Sequence, residues 1–228
     1  MNRLISLLAS RFRGERFDID PAIPSGYLLA FATAKLLARL RGILRFGAFP
    51  TVFIGKGARL KCTDKIRISG FANFNADCYV DALSRNGVVV GRGFSLGRGA
   101  SIECTGSLKT LGAGFTAGDN VGIGSSSFLG CAGGISIGSD TILGNLVSMH
   151  SENHNFEDAD LPIRLQGVSH RGIRVGRNCW IGAKATILDG ANIGDHSIVA
   201  AGAVVLAGDY EAGSLLAGVP ARKIKNLR

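Results

Sequence analysis

Aliphatic residues recur at every sixth position through most of this 228-residue chain, and no other feature constrains the fold as tightly. Val175, Ile181, Ile187, Ile193, Val199 and Val205 follow one another without a break. Four positions after each of the first five stands a small residue: Cys179, Ala185, Ala191, Ser197 and Ala203. The spacing returns upstream in Ile54, Leu60 and Ile66, in Val90, Leu96 and Ile102, in Ala117, Ile123, Leu129 and Ile135, and in Ile137, Leu143 and Met149. A period of six fits neither an amphipathic helix, at about 3.6, nor a heptad. It fits short strands joined by tight corners, each turning one aliphatic side chain inward, so that stacked coils pair in parallel around an aliphatic ladder. The expected fold is therefore mainly β: a parallel β-helix over 51–206, with a loop at 150–174 and a C-terminal tail at 207–228.

Composition agrees with a narrow, small-residue core. The chain holds 33 glycines but only 5 prolines, without a G-X-Y period, which excludes collagen; 46% hydrophobic residues exclude a disordered chain. Cys62, Cys78, Cys104, Cys131 and Cys179 are odd in number and lack CxxC spacing, so neither a disulfide framework nor a zinc knuckle is expected. The formal net charge of +9 favours polyanionic partners. No nucleic-acid-binding module accompanies it, so nucleic acid is not expected as a partner. The apolar run Leu4–Ala9 is too short for a signal peptide, and no uncharged stretch approaches the roughly 18 residues of a membrane span. The expected location is cytoplasmic.

Residues 1–50 are glycine-poor and helical in pattern. A short helix is expected near Leu4–Phe12; Pro21 and Pro24 separate it from a second over Tyr27–Phe46. On the second, Leu29, Leu36, Leu37, Leu40, Ile43 and Leu44 share one arc, bordered by Lys35 and Arg39 on one side and Arg41 and Arg45 on the other. Two readings stand: the arc packs on the neighbouring domain, or it lies on an anionic membrane surface, on the inner face of the membrane.

Between Met149 and Val175 the period fails. The interruption holds His150, His154 and His170, three of the four histidines, with Glu152, Glu157, Asp158 and Asp160. A polar loop extruded from a rigid solenoid is where function concentrates. His196 falls at a repeat corner and is expected to be solvated.

The run from Val175 to Val205 resembles the hexapeptide-repeat family, whose fold is a left-handed parallel β-helix with triangular coils. Asn153-His154-Asn155-Phe156 resembles the histidine loop of its acetyltransferase branch, which includes maltose, galactoside and polysaccharide O-acetyltransferases. Asn178-Cys179-Trp180-Ile181-Gly182, Ala201-Gly202-Ala203-Val204-Val205 and Gly218-Val219-Pro220-Ala221-Arg222 resemble further segments of that branch in the same order. The resemblance implies an acetyl-CoA-dependent O-acetyltransferase acting on a sugar hydroxyl of a surface polysaccharide or lipid-linked glycan precursor. It also implies a homotrimer with active sites between subunits and direct transfer with no acetyl-enzyme. A small soluble acceptor (free sugar, antibiotic, amino acid or nucleotide sugar) is the alternative.

Within that resemblance His154 is the expected catalytic base, since imidazole, with an ordinary pKa of about 6.5, is matched to proton removal from a hydroxyl at neutral pH. Glu152, Glu157 and Asp158 are candidates to orient it, with His150, Asn153 and Asn155 as further orienting or substrate contacts. Trp180, Gly182, Ala183, Ala201 and Gly202 match positions lining the coenzyme A groove, and Arg222, Lys223 and Lys225 are candidates for its phosphates. Two departures stand out. Ala183 replaces a serine of some members, so oxyanion stabilisation there needs a backbone N–H, and Leu206-Ala207-Gly208-Asp209 carries an extra residue where Thr-Lys-Asp is frequent. No metal is expected: a gamma-class carbonic anhydrase needs a third histidine upstream, and none precedes residue 150. A non-catalytic trimeric scaffold would be favoured by loss of the loop histidine, but His154 is present.

Overall fold

In the computed structural model, residues 18–227 are described; the expected helix near Leu4–Phe12 lies outside them. The chain winds into a left-handed parallel β-helix with three faces. The first face runs from Thr51–Ile54 through Phe71–Phe74, Phe94–Leu96, Gly122–Ile123, Ile142–Leu143, Trp180–Ile181 and Ile198–Val199 to Ser214–Gly218. The second runs from Arg59–Lys61 to Val204–Val205, the third from Ile66–Ile68 to Gly208–Tyr210. On the first face Ile54, Phe74, Leu96, Ile123, Leu143, Ile181, Val199 and Leu216 pair in succession and form one inward ladder. Phe74, Phe94 and Phe115 widen the core toward one end, their rings 6.0 and 6.2 Å apart.

The six-residue count slips by two between Ile135 and Ile137 for a physical reason. Third-face strands such as Ile135–Ile137 and Ile173–Val175 bury the side chains at both of their ends, so each offers two candidates for the ladder. Corners are made by single residues in the left-handed region, among them Asp77, Leu146, Lys184 and His196. Residues 207–227 do not leave the solenoid as a tail. Gly208–Tyr210 completes the third face, Ser214–Gly218 adds one more first-face strand, and Ala221–Asn226 folds back antiparallel on it.

The opposite end is covered by α1, Ser25–Phe46. Its seating reverses the packing reading, and turns the expected border cations away from the arc. The side against the solenoid is the small-residue side, with Leu28, Ala38 and Gly42 buried, while the Leu/Ile arc faces away. The expected border cations are turned inward. Arg39, Arg41 and Arg45 donate to the carbonyls of Val52, Ile54 and Leu60 at 3.4, 3.2 and 3.3 Å, and Lys35 Nζ reaches Asn73 Oδ1 at 2.8 Å. The first coil has no strand above it, so its outward carbonyls need donors, and long guanidinium side chains supply them. Small residues on the contact side let the helix approach closely enough for that.

Gly42 sets the approach: a Cβ there would lie 1.9 Å from the Val52 carbonyl oxygen. Gly42→Ala is expected to lift α1 from the first coil and destabilise the protein by about 1–3 kcal/mol, the usual cost of overpacking. Thermal denaturation checks this; an unchanged melting temperature would show that α1 is not seated on Val52.

Candidate active site

The loop expected at 150–174 leaves after the strand Ser148–His150 and rejoins at Ile173–Val175, at the corner between the second and third faces. Both roots are fixed by buried polar side chains. Ser151 Oγ accepts the Gly133 N–H at 3.0 Å and donates to the Gly130 carbonyl at 2.8 Å. The buried Asp189 carboxylate accepts the Arg171 N–H at 2.9 Å and the Gly172 N–H at 2.7 Å. Above the roots, Asn153–His154 pairs antiparallel with Val168–Ser169. Gln166 gathers the tip: its Nε2 donates to the carbonyls of Asp158 and Leu161, each at 2.7 Å, and its Oε1 accepts the Asp158 N–H at 3.1 Å.

This stitching shapes an open cleft of about 760 Å³. His154 lines it together with Asn153, Asn155, Phe156, Glu157 and Asp158, so most of the residues expected to act together are brought together. The His154 side chain is exposed, and among the described residues none hydrogen-bonds its ring. Two expected members stand apart. Glu152 Oε2 lies 2.8 Å from His170 Nε2, so this carboxylate holds His170 rather than His154. His150 Nε2 lies 2.7 Å from Ser148 Oγ and its ring is 5.4 Å from that of Phe128, on the outside of the second face. His196, at its corner, meets the Asn178 amide at 2.9 Å.

Gln166 and Asp189 were not singled out in the sequence. Gln166 is one polar residue among many in a polar loop and carries no signal. Asp189 does carry one, being a carboxylate inside the otherwise aliphatic and small stretch 185–191.

The expected coenzyme positions lie elsewhere on the solenoid. Trp180 points outward from the first face, 53% exposed, in register between Ile142 and Ile198. The Gly182 N–H is already used by the Val199 carbonyl at 2.7 Å, and a Cβ on Gly182 would lie 2.5 Å from the Ala201 nitrogen, so glycine here serves coil spacing. Ala183 and Ala201 sit on neighbouring coils and are exposed. Two coils before Ala183 the matching corner N–H, that of Ser125, is taken by Asn145 Oδ1 of the next coil at 2.9 Å. Alanine has no such acceptor, and among the described residues none takes the N–H of Ala183 or Ala201. The Gly202 N–H is used by the Ala183 carbonyl at 2.9 Å. Of the basic candidates, Lys223 is paired with Glu211, which holds that carboxyl below its ordinary range. Arg222 Nη1 donates to the Ala221 carbonyl at 2.9 Å, and Lys225 is exposed on the terminal strand.

Burial pushes the Cys78 thiol up to about 12 and raises Cys131 and Cys179 as well, so these thiols are poor nucleophiles. Asp195 is held below its ordinary range, chiefly by the Arg177 backbone N–H and then by its guanidinium.

Residues 172–207 match the family model for the bacterial transferase hexapeptide, six repeats. A Mycobacterium tuberculosis protein named as a probable acetyltransferase is 32% identical over 111 residues, 48% of this chain and 36% of that one. An Escherichia coli K12 protein, WbbJ, named for lipopolysaccharide biosynthesis O-acetyl transfer, is 29% identical over 114 residues, 47% of this chain and 58% of that one. The chain thus spans less than two thirds of the length of either curated relative. A variant of AntD, an N-acyltransferase from Bacillus cereus solved with dTDP and coenzyme A, shares the fold at 17% identity and a TM-score of 0.54, covering 78% of this chain and 82% of that one. The matched segment is the same stretch in which the six-residue ladder runs unbroken through all three faces, so residues 172–207 carry the hexapeptide repeat of the bacterial transferases.

Proposed function

We propose that the chain is an acetyl-CoA-dependent O-acetyltransferase whose acceptor is a sugar hydroxyl of a surface polysaccharide or lipid-linked glycan precursor. The observation that carries this reading is His154, presented in an open cleft by a loop anchored at both roots, with its ring unengaged among the described residues. A hydroxyl attacks a thioester only as its proton leaves, and His154 is the group in the cleft suited to take it. The same imidazole, once protonated, can return that proton to the departing thiolate, which balances the transfer without an acetyl-enzyme. The relative named for lipopolysaccharide O-acetyl transfer favours a glycan acceptor.

The residues on the first face suit a coenzyme A arm. Trp180 offers an exposed apolar surface, and the untaken N–H groups of Ala183 and Ala201 offer donors to a carbonyl, the thioester's included. That answers the missing serine at position 183. His154 leaves from the corner opposite that face, so one protomer does not bring Trp180 to its own cleft. This supports a homotrimer with each active site formed between two subunits.

Comparison of the surface glycan from a deletion strain and its parent tests the acceptor. Mass spectrometry is expected to show one acetyl group lost per repeat unit, and mild alkali to remove the same group from the parent glycan, as an ester requires. An unchanged acetyl content, or an alkali-stable one, would reject the O-acetylated glycan.

A further inference from the structure

The outer face of α1 has no partner among the described residues. Leu29, Leu36, Leu37, Leu40, Ile43 and Leu44 lie on it, from 40% exposed at Ile43 to 88% at Leu44. The cations of the helix are engaged on its other side with the first coil and Asn73. What faces out is therefore an uncharged aliphatic strip along a 22-residue helix.

Charge is polarised along the chain. Residues 1–67 contain thirteen Lys and Arg against four Asp and Glu, while residues 68–228 contain thirteen of each, so the entire net charge of +9 lies before residue 68. Within the described part, residues 18–67 hold nine cations and three anions, Asp18, Asp20 and Asp64. Lys56, Arg59, Lys61 and Arg67 are exposed on the first coil. Lys61 also lies 3.5 Å from Asp81, Arg59 and Lys61 lie over the Tyr79 ring, and Arg67 donates to the Asn86 carbonyl, which leaves Lys56 as the cation with no such contact among the described residues.

An apolar strip alone would fit many partners. A strip with first-coil cations behind it fits an anionic lipid surface, where the aliphatic side chains enter the boundary between headgroups and acyl chains. Cations within a Debye length, about 8 Å at physiological ionic strength, add a second attraction. The helix is not long and apolar enough to cross a membrane, so it lies along the surface. We infer that the α1 end of the solenoid docks on an anionic bilayer, with the Leu/Ile face down and the first-coil cations as its electrostatic contact. This differs from the sequence-based picture, in which Lys35, Arg39, Arg41 and Arg45 met the lipid.

Co-sedimentation of the full-length protein with vesicles tests it. The protein is expected to pellet at least about tenfold more with phosphatidylcholine vesicles containing one third phosphatidylglycerol than with phosphatidylcholine alone, and to be released as salt is raised. The triple variant Leu36→Glu, Leu40→Glu, Leu44→Glu changes only exposed positions. It is expected to keep the parent's melting temperature and to lose binding about tenfold or more. Lys56→Gln with Arg59→Gln and Lys61→Gln is expected to abolish the preference for anionic vesicles. Three results would overturn the proposal: a parent that stays in the supernatant with anionic vesicles, a glutamate variant that pellets like the parent, or a parent that ignores vesicles but forms an assembly the glutamate variant dissolves. Vesicle binding without measurable acetyl transfer would leave this inference standing and remove the enzymatic one.

Discussion

His154→Ala is expected to lower turnover by roughly 10²–10⁴-fold, the usual contribution of a positioned general base. The side chain is exposed and its ring bonds to no other described residue, so its removal leaves the fold intact and the melting temperature unchanged. The loop strand that carries it is held by backbone pairing with Val168–Ser169, which alanine preserves. The KM for acetyl-CoA should move little, because the proposed coenzyme contacts lie on the first face and not on the loop. Steady-state kinetics with acetyl-CoA and a sugar acceptor decides the matter. Near-parental turnover would remove His154 from the chemistry and direct attention to His170. That residue, 2.8 Å from Glu152, already has the geometry of a base held by a carboxylate.

Ile187→Asp should have the largest effect on the fold. Ile187 is fully buried and stands in the second-face ladder between Met149 and Val205. A carboxylate there loses its hydration and finds no donor, at a cost of several kcal/mol. Against a total stability on the order of 5–15 kcal/mol, that is enough to unfold the domain. The expected outcome is insoluble or unfolded protein, read by expression in the soluble fraction and circular dichroism. A soluble variant that melts like the parent would place Ile187 on the outside of its coil. A milder substitution such as Ile187→Ala should remain folded with a reduced melting temperature, which separates loss of packing from loss of expression.

The solenoid was legible because its signal repeats. One inward residue per strand, met again every six positions, survives the local slips at Ile135–Ile137 and the insertion of a whole loop. The candidate cleft was legible only in part. His154 stood out because the period broke around it, but Glu152 and His150 lay equally close in sequence and turned elsewhere, since their partners, His170 and Ser148, are fixed by strand pairing and loop return. The packing reading of the helix failed for a different reason. Amphipathic pattern assumes that apolar side chains face the core, whereas this helix sits on a sheet edge whose unpaired carbonyls need donors more than they need leucine. The sequence did mark the edge, through Ala38 and Gly42 on the side opposite the leucines, but small residues lack the weight of an aliphatic stripe.

The coil stack is also a ruler. Paired strands lie about 4.8 Å apart, and the loop bearing His154 leaves the fifth coil counted from the α1 end. The proposed chemistry would thus take place roughly 20 Å from the first-coil edge. A solenoid can change that height only by whole coils, so reach is quantised in a way a globular domain's is not. With α1 on a bilayer, a sugar joined directly to a headgroup passes beneath the cleft, and a residue several units along a lipid-tethered glycan arrives level with it. Deleting one complete coil between Ile68 and Phe115 would shift the acetylated position toward the lipid without touching a residue of the cleft.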